Sequence, residues 1–218
     1  MIAKTGAIEG FGIDAGLLRY NIIGNVKPKG ICGSGLVDLV AVLLRSGIID
    51  HEGLIQHAQG EFGDALNERV IDNSGVCNFL IASEKESYDQ MPIYLTQKDV
   101  RELQLSKGAV AARIRTLMHE MGVGVGDITR VCLAGALGNY VNPYSAVRIG
   151  LIPMVSPNII TSLGNAATTG ASMVLLSKDY WQTANDLVEF IEHVELSSRL
   201  DFNGYFIEHM DFPQENVW

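Results

Sequence analysis

The chain has 218 residues, 47% of them hydrophobic and 19% charged, so it is long enough to bury a core and too apolar to be disordered. Its 16 Lys and Arg residues face 25 Asp and Glu residues, a net charge of −9, and no basic run occurs, which argues against a nucleic-acid partner. The longest apolar stretches, such as 36–44, are well short of the ~20 residues that a membrane span needs. A transmembrane segment is therefore excluded.

The three cysteines, Cys32, Cys77 and Cys132, lie far apart and form no C-x-x-C pair. This spacing excludes a disulfide framework or an iron–sulfur ligand set within the chain. We interpret all three as small buried hydrophobic residues rather than reactive thiols. This cysteine usage fits a reducing, cytoplasmic setting best, and the N-terminus lacks the basic and apolar segments of a signal peptide.

The first 26 residues alternate glycine with short runs that favour β-structure. Residues 7–9 and 18–23 predict two strands, and the glycines of 12–16 predict the turn region between them. An apolar helix is predicted next, with Ser34 as its N-cap and Gly47 just past its end. Because this helix is apolar nearly all round, we expect it to be buried between layers.

The clearest helix signal follows an irregular segment, 51–90, that we expect to contain a strand or two. Thr96 is a predicted N-cap with Asp99 three residues later, and a largely helical apolar pattern extends from there to Gly122. The glycine-rich run 122–127 precedes a strand, whereas a dinucleotide fingerprint follows one. We therefore interpret the run as a helix stop and connection.

The second half of the chain alternates strand and helix signals, which predicts an α/β layer architecture. The signals are a buried strand at 130–134, a loop leading to a helix capped by Asn142 with Pro143 in its first turn, a strand at 159–161, a helix from 164 to about 178, and an amphipathic segment at 180–194.

Three glycine-marked positions could bind a ligand, because free N–H groups and the helix dipole meet where strands end and helices begin. A missing Cβ there lets a phosphate or nucleoside approach the main chain, although glycine at a helix boundary is more often only part of a turn. The three positions are Gly33-Ser34-Gly35, Gly135-Ala136-Leu137-Gly138-Asn139 and Gly164-Asn165.

Three further polar residues are candidates with open alternatives. Asp38 could hold a metal-bound water or complement the N-terminal dipole of its helix. Gln104 and Lys107 share one helix face, where they are either solvated or line a nucleoside cleft. No P-loop, hydrolase triad or histidine ligand spacing occurs, so we predict no catalytic residue and no metal ligand.

Five motifs in this order resemble the C-terminal part of the reductive activators of corrinoid proteins, which are ATP-dependent iron–sulfur proteins that return cob(II)amide to cob(I)amide. The resemblance extends from the first residues to Phe212-Pro213. The motifs are Gly30-Ile31-Cys32-Gly33-Ser34-Gly35-Leu36-Val37-Asp38, Leu95-Thr96-Gln97-Lys98-Asp99-Val100-Arg101-Glu102-Leu103-Gln104, Leu133-Ala134-Gly135-Ala136-Leu137-Gly138-Asn139-Tyr140, Ile149-Gly150-Leu151-Ile152-Pro153 and Gly164-Asn165-Ala166-Ala167.

The resemblance implies an α/β fold, with residues 1–218 as one lobe of an actin-like, sugar-kinase-like ATPase in which a mixed sheet is flanked by helices. By that resemblance, the turn that begins at Gly135 binds adenosine and the phosphates lie toward Gly33. The helix that begins at Gly164 lies near the interlobe hinge. Gln104 and Lys107 would then flank the adenine side.

Two departures from the family pattern suggest a fragment or a truncated paralogue that lacks the N-terminal part of the lobe. No D-x-G-T turn, which in the family holds phosphates and magnesium, occurs in the chain, and the ferredoxin-like cysteine cluster is missing. The resemblance implies ATP as the cofactor, with Mg²⁺ if the missing segment is present. A 2Fe-2S cluster is expected only in the missing N-terminal region.

We therefore expect the ATP-binding lobe of a reductive activator, whose partner is a corrinoid protein or a corrinoid-dependent methyltransferase, with a homodimer as an option. Whether the chain alone is an enzyme stays open. The alternative is a non-catalytic interaction or dimerisation module of the same fold, favoured by the missing D-x-G-T turns. A sugar or acyl-group kinase lobe is a third, weaker interpretation.

Overall fold

The computed structural model describes residues 1–14, 16–58, 64–196 and 198–214. Its first sheet has three strands in the order β2-β1-β3, with the central β1 antiparallel to β2 and parallel to β3. The sheet confirms the two strands predicted in the first 26 residues. The strands are β1 (Ala7–Asp14), β2 (Leu17–Ile22) and β3 (Gly30–Ile31).

Helix α1 (Gly33–Arg45) packs on β1 and also contacts the helices that follow residue 134, so it is buried between layers as predicted. Gly47, with φ +75°, follows its end as expected. The prediction of Ser34 as N-cap is wrong, because Cys32 is the N-cap residue and Ser34 lies inside the helix.

A second, antiparallel sheet has the order β4-β5-β6 and accounts for the strands expected in the irregular segment. Its buried side chains, including Phe79 and Ile81, join the same hydrophobic core as α1. The elements are a short helix, α2 (Asp64–Asn67), followed by β4 (Val70–Asn73), β5 (Val76–Ala82) and β6 (Ile93–Leu95).

Helix α3 (Gln97–Glu120) begins at the predicted capping box. The Thr96 hydroxyl accepts from the Asp99 N–H at 3.2 Å, and the Asp99 carboxylate accepts from the Thr96 N–H at 2.8 Å. Gly122, with φ +64°, follows the helix end, and a short 3-10 turn (Val125–Asp127) then confirms the glycine-rich run as a connection.

The third sheet pairs β7 (Val131–Ala134) in parallel with β8 (Ile160–Gly164). Between them lie α4 (Gly135–Tyr140), where a loop was predicted, and α5 (Pro143–Arg148), which is capped by Asn142 as predicted. The prediction of a buried strand at 130–134 is wrong, because only β8 pairs with β7 in the described part of the chain and β7 is half-buried or exposed.

Three helices complete the described chain: α6 (Ala166–Leu176), α7 (Lys178–Val188) and α8 (Leu200–Glu208). Helix α6 packs on α7, and α8, which the sequence did not predict, packs on α3. No described residue of these three helices is buried.

The main core lies between the first two sheets and α1, α3 and α5, where Ile8, Leu39, Leu43 and Leu95 are almost completely buried. The α/β architecture with sheets flanked by helices confirms the predicted fold class. The interpretation of the cysteines holds for Cys32 only, since Cys77 is half-buried and Cys132 is exposed. Among the described helices, none is both long and apolar enough to cross a membrane.

Candidate functional site

The two glycine-marked turns of the third sheet lie at the same sheet edge. Ala134 pairs with Gly164 across the parallel strands, so the turns that start at Gly135 and Gly164 emerge side by side. Both glycines have positive φ, +89° and +63°, which a residue with a side chain adopts only with strain. The two turns therefore form one edge at which α4 and α6 begin.

The main chain at Gly135 is open, because a Cβ built there would meet no atom within 4 Å. Gly138 is different, since a Cβ there would lie 3.1 Å from Leu133, so this glycine lets α4 pack closely on β7. The side chains of Ala136 and Asn139 lie outside the described residues. Gly135 is thus the open point of the turn.

Asn165 acts as the N-cap of α6. Its side-chain oxygen accepts from the Thr168 N–H at 3.2 Å, and the Gly164 N–H donates to the Ser162 hydroxyl at 3.4 Å. The Asn165 side chain thus satisfies one of the main-chain N–H groups at the start of α6.

The N-terminus of α1 has free main-chain donors. Cys32 provides no capping side chain, and the first N–H that finds a carbonyl within the turn is that of Leu36, which donates to Cys32 at 2.9 Å. The N–H groups of residues 33–35 therefore have no intrahelical acceptor, and they lie at the positive end of the helix dipole. Such an end is suited to an anion.

Ser34 and Gly35 hold α1 against β1. The Ser34 hydroxyl donates to the Glu9 carbonyl at 3.1 Å, at the irregularity in the β1 register between Ile8 and Gly10. A Cβ on Gly35 would overlap the Ile8 carbonyl oxygen, so only glycine permits this approach. Both residues orient the helix end, and Gly33 and Ser34 line the cleft described next.

One cleft, of about 770 Å³, lies between the start of α1 and the end of α4; Gly135 and Gly164 do not line it. Its lining includes Gly33 and Ser34 at the start of α1, Glu9 on β1, and Tyr140 at the end of α4. Since α4 has six residues, Tyr140 lies ~8 Å along the helix from Gly135. The cleft is large enough for a nucleotide-sized ligand and carries main-chain donors at one side.

Asp38 lies beyond the first turn of α1 and is only 8% exposed. Its Oδ2 accepts from the Phe11 N–H at 3.4 Å, whereas its buried Oδ1 has no hydrogen-bond partner among the described residues. Burial raises the pKa of this carboxyl, against the opposing hydrogen bonds from Ser145 and Phe11. Asp38 lies beyond the first turn of α1, so the interpretation that it complements the helix dipole is wrong. That Asp38 contacts a ligand stays a prediction.

Gln104 and Lys107 are buried rather than solvated. Gln104 donates to the Glu52 carbonyl at 3.0 Å, and the Lys107 ammonium donates to the Asp211 carbonyl and lies 5.0 Å from the centre of the Phe212 ring. Burial lowers the pKa of Lys107 to about 8. Neither residue lines the 770 Å³ cleft, so their contact with a nucleoside stays a prediction.

Sequence reasoning did not single out Tyr140 and Glu9, which line the cleft. Tyr140 is the last residue of the motif that starts at Leu133. Had a helix been predicted over this motif, Tyr140 would have been placed at its far end. Glu9 carries no such signal. Within the described ranges, no group of three or more His, Cys, Asp or Glu side chains is placed to hold a metal ion.

Comparison with known proteins gives one family and several relatives. The family described as the C-terminal domain of RACo, the ASKHA domain, matches residues 1–218. The corrinoid activation enzyme RamQ of Eubacterium limosum is 36% identical over 201 residues, which cover 91% of this chain and 34% of that protein. A methylated amine-specific corrinoid protein Co(II) reductase of Methanosarcina barkeri is 26% identical, over 94% of this chain and 40% of that protein.

A solved structure gives the same result. A reductive activator for a corrinoid, iron–sulfur protein superimposes with a TM-score of 0.85 and 32% identity, over 98% of this chain and 33% of that one. The chain therefore spans about a third of the length of the relatives that it matches.

Proposed function

This chain belongs to the family of the C-terminal domain of RACo, the ASKHA domain, and from that premise we propose that it is the ATP-binding lobe of a reductive activator of corrinoid proteins. In this role, nucleotide binding supports the reduction of a corrinoid from cob(II)amide to cob(I)amide. The observation that carries the proposal is the cleft between the uncapped start of α1 and Tyr140, the last residue of the helix that begins at Gly135.

The phosphates of ATP are assigned to the start of α1. The N–H groups of residues 33–35 and the helix dipole supply positive potential there without a basic side chain. Adenosine is assigned to the sheet edge at Gly135 and Gly164, where the surroundings of Gly135 leave room for a ligand to approach the main chain. Ala136, Gly138, Asn139 and Asn165 belong to the two turns that frame this edge.

ATP acts in this proposal by differential affinity. A ligand shifts a conformational equilibrium only by the difference between its affinities for the two states. A nucleotide held between α1 and the Gly135 edge would favour one arrangement of this lobe against the remainder of the activator, and so support an electron transfer that is unfavourable without it.

Magnesium on the phosphates would neutralise their charge, and a 2Fe-2S cluster would supply the electron, as the resemblance implies. The described part of this chain does not fit such a cluster, because its cysteines are free and no metal-binding group is gathered there. No electron-transfer step is therefore assigned to its residues. The proposed partner is a corrinoid protein or a corrinoid-dependent methyltransferase, and the free cysteines favour a cytoplasmic setting.

The test is a titration of the chain with ATP and, separately, with adenosine, followed by amide NMR. We expect shifts at residues 33–35 with ATP only, and at Gly135 and Gly164 with both ligands. Gly33→Asp adds a carboxylate that the helix N-terminus tolerates but that repels phosphate, so ATP should bind about tenfold more weakly while adenosine binding is unchanged. The control is Gly33→Ala. ATP shifts confined to other residues would refute the assignment.

A second candidate function, an interaction or dimerisation module, is favoured by the exposed apolar side chains of the C-terminal helices. Leu176, Trp181 and Leu187 are 87%, 58% and 57% exposed. Light scattering and a pull-down on a corrinoid protein would separate the two functions, because a binding module should keep its affinity for the partner without ATP.

A further inference from the structure

A second cleft lies at the opposite end of α1 from the proposed phosphate position. Gly33 and Arg45 are the two ends of this helix, ~18 Å apart at ~1.5 Å per residue. The second cleft has a volume of about 320 Å³ and is formed by β1, the last turns of α1, and α5. It is therefore separate from the 770 Å³ cleft.

Gly12 leaves open space in this second cleft. A Cβ built at Gly12 would meet no atom within 4 Å. A Cβ at Gly10, two positions earlier and so on the same strand face, would meet the Asp38 carboxylate of α1. The open space at Gly12 thus faces the α1 side of the sheet.

Two arginines line this cleft, although the chain as a whole has a net charge of −9. Arg45 ends α1 and Arg148 ends α5, and both line the cleft. The two guanidinium groups influence each other, because the pKa of Arg148 is lowered by burial and then by the charge of Arg45. Arg148 also has an interaction within the protein.

A third arginine stands on the neighbouring strand. Arg19 is the register partner of Gly12, and opposite residues of an antiparallel pair share a face. Its guanidinium lies 3.7 Å from the Asp14 carboxylate, so Asp14 offsets much of this charge. The other nearby acid, Asp38, is buried against β1. Arg45 and Arg148 therefore remain the two guanidinium groups that line the cleft itself.

We propose that this second cleft binds a tetrahedral oxyanion, either inorganic phosphate or the terminal phosphate of a phosphomonoester, between Arg45 and Arg148. Guanidinium groups match phosphate oxygens in paired hydrogen bonds, and two of them around one anion offset their mutual repulsion. Asn142, Tyr144 and Ser145 also line the cleft. The Asn142 side-chain oxygen already accepts from the Tyr144 N–H at 2.9 Å, and the Ser145 hydroxyl is hydrogen-bonded to Asp38. Gly12 leaves the room that the anion occupies.

The first test titrates the chain with inorganic phosphate at constant ionic strength, with chloride as the balancing ion, and follows amide NMR shifts. Saturable shifts are expected at Gly12 and at residues 142–148. Arg45→Ala, at an exposed position, should weaken the affinity about tenfold or more, because a hydrogen bond to a charged group is lost. Arg113→Ala, which removes an exposed arginine of α3, is the matched control and should bind as the wild type does.

The second test fills the cleft and keeps its charges. Gly12→Val suits a strand whose φ is not positive, so the variant should fold with an unchanged or higher melting temperature and yet lose the phosphate shifts. A titration with phosphoserine distinguishes the two possible ligands. If phosphoserine binds as tightly as inorganic phosphate or more tightly, the ligand is a phosphomonoester; if only inorganic phosphate binds, the ligand is the free ion. Non-saturable shifts, shifts only at residues 33–35, or equal losses in Arg113→Ala would overturn the proposal.

Discussion

Helices α1 and α6 begin at glycine-marked strand ends and are both rich in apolar residues, yet their surroundings are opposite. In α1, Leu39 and Leu43 are completely buried, whereas Leu175 and Leu176 of α6 are 82% and 87% exposed. Helix α1 is enclosed by β1 on one side and α5 on another, while α6 packs on α7. Burial in this domain is therefore decided by what packs on a helix, not by its composition.

A pair of identical truncations tests this difference most directly. Leu39→Ala should lower the free energy of unfolding by about 2–5 kcal/mol, because it removes buried methyl groups and leaves a cavity. Leu176→Ala should change it by no more than ~0.5 kcal/mol, since the side chain is exposed. Urea unfolding followed by circular dichroism measures both. Equal losses would show that α6 is covered in solution.

Glycine-to-alanine substitutions should differ in sign between the two helices. Gly35→Ala should destabilise the protein by about 1–3 kcal/mol, because the new Cβ overlaps the Ile8 carbonyl and pushes α1 from β1. Gly170→Ala should stabilise it by up to ~1 kcal/mol, since a Cβ there meets nothing within 4 Å and alanine favours the helix. Thermal unfolding of both variants is the measurement. A loss at Gly170 would contradict the open surroundings of α6.

Local signals in the sequence were sufficient for the elements whose ends depend on nearby residues. The capping box of Thr96 and Asp99 and the Asn142-Pro143 start are contacts within four residues, so they can be predicted from spacing. The burial of residues 130–134 could not be predicted from spacing, because it depends on which strands pair with β7. Helix α4 was missed because two glycines in six residues suggest a loop.

In the candidate site, too, some features could be predicted from the local sequence and others could not. That Gly135 and Gly164 share an edge follows from two parallel strands whose ends are marked by glycine. The partners of Gln104 and Lys107 could not be predicted, since Glu52 and Asp211 lie 52 and 104 positions away in the chain. Contacts at such separations are decided by tertiary packing.

The smallest expected effect is the pH dependence of stability that comes from Asp38, the buried acid of α1. Helix α6 contains no acidic residue and so has no counterpart. Because burial raises the folded-state pKa of Asp38 above its ordinary 3.8, the folded protein holds this proton more tightly than the unfolded chain. Its contribution to stability is therefore fully present below pH 3.8 and is lost as the pH rises through the raised folded-state value. Asp38→Asn should remove this loss, so the melting temperature of the variant should rise relative to that of the wild type as the pH increases from 3.8 through the raised folded-state pKa.

Ser145→Ala sharpens the result, because it deletes a hydrogen bond that opposes the rise in the pKa of Asp38. In this variant the loss of stability should continue to higher pH than in the wild type, and the double variant with Asp38→Asn should show no such shift. Melting curves between pH 3 and 8 distinguish these outcomes. If Asp38→Asn followed the wild-type pH profile, the carboxyl of Asp38 would be as well solvated as an exposed one, and the close packing of α1 on β1 would not extend to this residue.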